Sequence, residues 1–191
     1  MKGSRWEIYL EKTVTILSKE LNRLEEERKN MLSKIESIEE TYQTESVSSL
    51  GPAEMTKKAM EWISSIKKMT AYSLSALFMV GDEDVQTSLG KASEEARDFI
   101  STGITDKLLE VFEILKDAEK LYNMTRSRTF DRYVGTTTIY DASLQRLHRK
   151  LRERLSTASS IATPIFEGAI IYQKFILSKM IKEFILMGVK A

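Results

Sequence analysis

The chain has a single histidine, His148, and no cysteine. Metal centres built on histidine pairs, histidine triads or thiolates are therefore excluded, as are thiol catalysis and a disulfide framework. His148 stands beside a leucine stripe (Leu144, Leu147, Leu151, Leu155) and reads as a partly buried helix residue. Carboxylates cluster at Glu25-Glu26-Glu27, Asp82-Glu83-Asp84 and Glu94-Glu95, but neighbours in sequence fan around a helix instead of converging. They read as solvated surface and helix-cap chemistry. No Gly-rich phosphate loop, G-x-S-x-G elbow or dinucleotide fingerprint occurs. The expectation is a protein that is not an enzyme and holds no metal or cofactor.

The remaining chemistry is basic. Between Leu121 and Ser156 stand Arg126, Arg128, Arg132, Arg146, Arg149, Lys150, Arg152 and Arg154, against only Asp131, Asp141 and Glu153. Seven of the eight cations are arginine, whose planar fork matches phosphate and carboxylate. Phe130 and Tyr133 interleave with Arg128 and Arg132, a pattern compatible with backbone contacts plus base stacking. The net charge of +1 hides an asymmetry, since residues 1–120 hold 17 Lys+Arg and 23 Asp+Glu and residues 121–191 hold 12 and 5. Such a split suits either an anionic partner such as DNA or RNA, or an arginine face that pairs with the acidic part of the protein.

The elements that position these residues are helical throughout. Two prolines and eight glycines in 191 residues leave long helices uninterrupted. From about Ser4 to Tyr42, Leu10, Val14, Leu17, Leu21, Leu24, Arg28, Met31, Ile35, Ile38 and Tyr42 recur at alternating spacings of four and three. That is a heptad seam, and it predicts a long N-terminal coiled-coil helix over 1–43. Arg28 is its one charged member, either a register device or a side chain laying its methylenes along the seam.

After a polar connection (QTESVSSLG), a bundle domain is expected over 52–191. Pro52 suits a first helical turn, and Met55, Ala59, Trp62, Ile66 and Met69 continue a helical stripe. A peripheral helix over about 84–102 follows, then one capped by Thr105. Residues 123–140 lack helical period and read as an irregular Arg-rich loop. Asp141 opens the next helix, STASSIAT reads as a linker, and Pro164 begins the last. The fold class is all-α, a bundle of about five to six helices with an apolar C-terminal helix.

In that last helix 16 of the 26 residues from Pro164 to Val189 are apolar, with Phe166, Ile170, Phe175, Ile181 and Phe184 among them. A surface helix carries a polar face and this one has none, so it belongs in a core, at a subunit interface or on a lipid surface. Together with the N-terminal seam, it points to a self-associating assembly or scaffold subunit, as a homo-oligomer or with a partner helix. A nucleic-acid-binding coat or chromatin-like subunit and a peripheral membrane-surface protein are the alternatives. The N-terminus shows no signal peptide and no run reaches the ~20 apolar residues of a spanning helix, which predicts a cytoplasmic protein or one inside an assembled particle.

Overall fold

In a computed structural model of the chain, residues 5–43, 47–77, 103–133 and 142–190 are described. All four stretches are helical: α1 (Arg5–Gln43), α2 (Val47–Leu77), α3 (Ile104–Tyr133) and α4 (Ala142–Lys190). The protein is all-α, with four helices among the described residues where five to six were expected. The helix expected over 84–102 lies outside them. Two compact units are present, one of residues 1–30, 75–101 and 167–191, the other of residues 31–74 and 102–166.

The two helices that differ most from expectation do so for the same reason. The supposed loop 123–140 is helical as far as Tyr133, because Thr125 and Thr129 continue the inward face of Leu108, Val111, Leu115 and Ala118. Each buried hydroxyl donates to the carbonyl four residues back, Thr125 to Leu121 and Thr129 to Thr125, both at 2.8 Å. A threonine that returns its hydroxyl to its own helix can be buried like a valine, although it breaks an apolar pattern.

The supposed linker STASSIAT likewise lies inside α4, which runs unbroken through Pro164. Ala158, Ser159 and Ala162 are buried, and the hydroxyls of Thr157 and Ser160 bond back to Glu153 and Thr157 carbonyls. Small residues here permit close helix packing and alanine favours helix. Pro164 lacks the N–H that would bond to Ser160, a local loss that the flanking buried Ala162, Ile165 and Phe166 offset.

Two glycines set helix boundaries. Gly51 sits at φ 72° and ψ 159°, so the helical turn 47–50 breaks there before Pro52 starts the main run of α2. Gly103, at φ 106°, precedes α3, and its carbonyl accepts the Lys107 N–H at 3.1 Å. Both backbones are in a region that a Cβ disfavours. Gly103 thus stands at the cap position before Ile104, and Thr105 lies inside the helix instead of capping it.

In the unit of residues 31–74 and 102–166, four helical segments surround one core. Tyr42, Met55, Trp62, Ile66, Met69, Leu108, Leu144, Leu151 and Phe166 are its largest fully buried side chains. The Tyr42 ring lies 5.4 Å from Trp62, while its hydroxyl donates to the Met55 carbonyl at 2.8 Å. Tyr72 meets Phe166 edge-on at 5.4 Å. Lys67 pairs with Glu119 across α2 and α3. The α3 and α4 segments are antiparallel: Arg128 donates to Ser143 Oγ at 3.0 Å, and residues 117–121 flank a groove with residues 150–157.

In the other unit, the start of α1 runs antiparallel to the end of α4. Leu10 lies against Gly188, Lys174 pairs with Glu25 at 2.5 Å, and Arg28 reaches Glu167 at 3.6 Å. Leu10 and Leu24 are buried in this pairing and Val14, Leu17 and Leu21 are half-buried. The seam is covered here by the chain's own C-terminal helix.

Candidate functional site

The basic segment forms an outward surface of the α3–α4 hairpin. Leu144, Leu147, Leu151 and Leu155 turn one face of α4 into the core, which leaves Arg146, Arg149, Lys150, Arg152 and Arg154 exposed on the others. Arg126 and Arg128 are exposed near the end of α3, and the Arg128–Ser143 hydrogen bond brings that end beside the start of α4. Phe130, Arg132 and Tyr133 are in the last turn of α3, but their side chains lie outside the described residues.

These cations are not equivalent. Arg152 donates from Nη1 to the Tyr42 carbonyl at 3.2 Å, near the end of α1, whose last turn has no basic residue of its own. A cation there satisfies a terminal carbonyl and the negative end of the helix dipole. Arg146, Arg149, Lys150 and Arg154 have no carboxylate within ion-pairing distance among the described residues. Lys150 and Arg154 also edge a groove of about 640 Å³ with Asp117, Lys120, Leu121, Glu153 and Thr157. Lys120, which bridges to Asp117 at 3.5 Å, adds a cation that the sequence segment 121–156 does not contain.

Of the residues expected to self-associate, some are buried and the others half-buried. Ile35, Ile38, Tyr42 and Phe166 are buried in the unit of residues 31–74 and 102–166, Ile170 is buried in the other unit, and Met31 is half-buried. Further along α4, Phe175, Ile181 and Phe184 are half-buried. Arg28 belongs to a small network in which Glu25 accepts from Arg28 at 3.3 Å and from Lys174, and Glu167 faces the same guanidinium. Lys174 holds the Glu25 carboxyl below the ordinary glutamate range, helped by Arg28. Beside the network is an apolar crevice of about 220 Å³ lined by Glu20, Leu24, Gln173, Ile176, Leu177 and Met180.

Sequence reasoning did not single out most of the apolar residues that point outward. Ile16 is 66% exposed, Tyr9 61%, Leu186 58%, Met187 52%, Trp6 51% and Ile185 50%, with Ile8 and Met180 less so. These eight lie at the start of α1 or the end of α4, while Leu109 (57%), Met60, Phe112 and Met124 are exposed on α2 and α3. Trp6 and Tyr9 stack with ring centroids 6.0 Å apart. One signal was available: Tyr9 and Ile16 are seven residues apart on a flank of α1 away from the seam.

Among the described residues no group of three or more His, Asp or Glu could hold a metal ion. His148 is buried, and burial lowers its pKa to about 4, so it is neutral near pH 7. No described helix is long and apolar enough to cross a membrane. No protein-family model, curated protein or solved structure matches the chain.

Proposed function

We propose that the chain is a non-enzymatic, self-associating assembly subunit whose partner is a second copy of itself. The observation that carries this is the outward apolar set at the start of α1 and the end of α4: Trp6, Ile8, Tyr9, Ile16, Met180, Ile185, Leu186 and Met187. The contact of Leu10 with Gly188 brings those two helix ends together. At about half exposure, eight side chains of this size offer on the order of 800 Å², the share one partner contributes to a standard interface. Exposed apolar side chains gathered at one end of two paired helices suit an interaction surface. The heptad seam itself supports the reading less than its spacing suggests, because α4 covers its first half. Self-association would use the outer flank of the α1–α4 pair.

Sedimentation velocity over a wide concentration range tests this. The full chain is expected to sediment as a dimer or larger species, and the variant Tyr9→Lys/Ile16→Glu/Leu186→Glu as a folded monomer with unchanged helical circular dichroism. A wild-type chain that stays monomeric at the highest concentration would overturn the proposal. If it were monomeric but floated with anionic liposomes, the same residues would instead be assigned to a lipid surface.

A further inference from the structure

A second surface lies on other residues. We infer that the outer face of the α3–α4 hairpin is a nucleic-acid backbone site, formed by Arg126, Arg128, Arg146, Arg149, Lys150 and Arg154. Three observations carry it. All six side chains are exposed, on two antiparallel helices joined at Arg128 and Ser143. Four of them, Arg146, Arg149, Lys150 and Arg154, meet no carboxylate among the described residues, so the acidic part of the chain does not neutralise them there. Between residues 121 and 157, Glu153 is the one carboxylate whose side chain is described.

The spacing suits a phosphate strand. Arg146, Lys150 and Arg154 are four residues apart, so they climb the helix in steps of about 6 Å. Phosphates of one duplex strand rise about 3.4 Å each, and such a stripe meets roughly every second one. Arg149 widens the stripe on one side, and Arg126 and Arg128 extend the basic surface onto α3. Arginine contributes five of the six cations, and its guanidinium fork can grip phosphate with two parallel hydrogen bonds. Contacts of this kind position a protein on nucleic acid without reading its sequence. Arg152, held on the Tyr42 carbonyl, is not part of the site.

The test is binding of fluorescent duplex and single-stranded DNA and RNA to the full chain as salt is varied. Six phosphate contacts give a log–log salt slope of about −5 on duplex and about −4 on single strands. The triple variant Arg146→Gln/Arg149→Gln/Lys150→Gln is expected to weaken binding at least tenfold at low salt and to cut the duplex slope to about −2 to −3. Lys57→Gln/Lys68→Gln, two exposed lysines of α2, should leave both readings unchanged. No binding at low salt, a wild-type slope near zero, or an unaltered slope in the triple variant would overturn the inference. So would polyglutamate that competes as well as nucleic acid at equal charge, which would assign the face to an acidic protein. The wild-type slope needs no variant to fold, and the slope is counted per chain, so a dimer that places both faces on one nucleic acid would steepen it.

Discussion

A single buried imidazole makes the stability of this protein pH-dependent. His148 is 3% exposed and its pKa is lowered from 6.5 to about 4 by desolvation. The unfolded chain therefore binds a proton between pH 6.5 and 4 that the folded chain refuses. Stability is complete above pH 6.5 and falls as the pH drops towards 4, by about 3 kcal/mol in all. The carboxyl of Glu25, held low by Lys174, acts in a more acidic window, with its contribution lost as pH falls through its own depressed pKa. Urea titrations from pH 7.5 to 4 should show the loss, and His148→Leu should flatten it over 6.5 to 4. An identical pH slope in that variant would rule out the imidazole as its source. Ser159 provides a second residue-scale check. Its Oγ is buried and has no hydrogen-bond partner among the described residues. Ser159→Ala should leave stability unchanged or raise it by up to about 1 kcal/mol, measured by denaturant midpoint. Little of this was legible in the sequence, where His148 read correctly as a helix residue but its degree of burial depended on helices distant along the chain. The role of Arg152 was equally hidden, because its partner carbonyl lies 110 residues away.

At the scale of the element, the α1–α4 pairing combines apolar burial with a charge network. Leu24 is buried, and Leu24→Ala should cost about 2–4 kcal/mol in chemical denaturation. Arg28 is about a third exposed and touches Glu25 and Glu167. Arg28→Ala leaves those two carboxylates without their shared cation, and is expected to cost only about 1 kcal/mol because solvent screens the network. The cost should shrink in 1 M salt, and a cost that is independent of salt would contradict an electrostatic role. The long helix α1 was legible from its four-three spacing; Leu10, Leu24, Ile35, Ile38 and Tyr42 are buried, while Val14, Leu17, Leu21, Arg28 and Met31 are only half-buried. The C-terminal half of α3 was not legible, since Thr125 and Thr129 fill core positions with polar side chains that satisfy themselves locally. The middle of α4 was hidden in a similar way, because its small Ser, Thr and Ala residues resemble a linker while packing as a close helix contact.

For the whole molecule, the sequence could state that the seam of α1 needs a covering surface but not which chain supplies it. A heptad has the same spacing whether it meets a second copy or folds back, and the choice depends on contacts between residues about 150 or more positions apart, such as Glu25 with Lys174 and Leu10 with Gly188. With the first half of that face of α1 covered by α4, the outward apolar ends and the arginine face are the surfaces proposed to meet partners. The absence of cysteine makes this arrangement directly testable. Leu10→Cys/Gly188→Cys introduces two thiols where Leu10 Cδ1 lies 3.7 Å from the position of a Cβ on residue 188. Treatment with a short thiol crosslinker, followed by denaturing electrophoresis, is expected to give a compact species of monomer mass, with the same yield at every protein concentration. Crosslinks found only between chains, rising with concentration, would contradict the account.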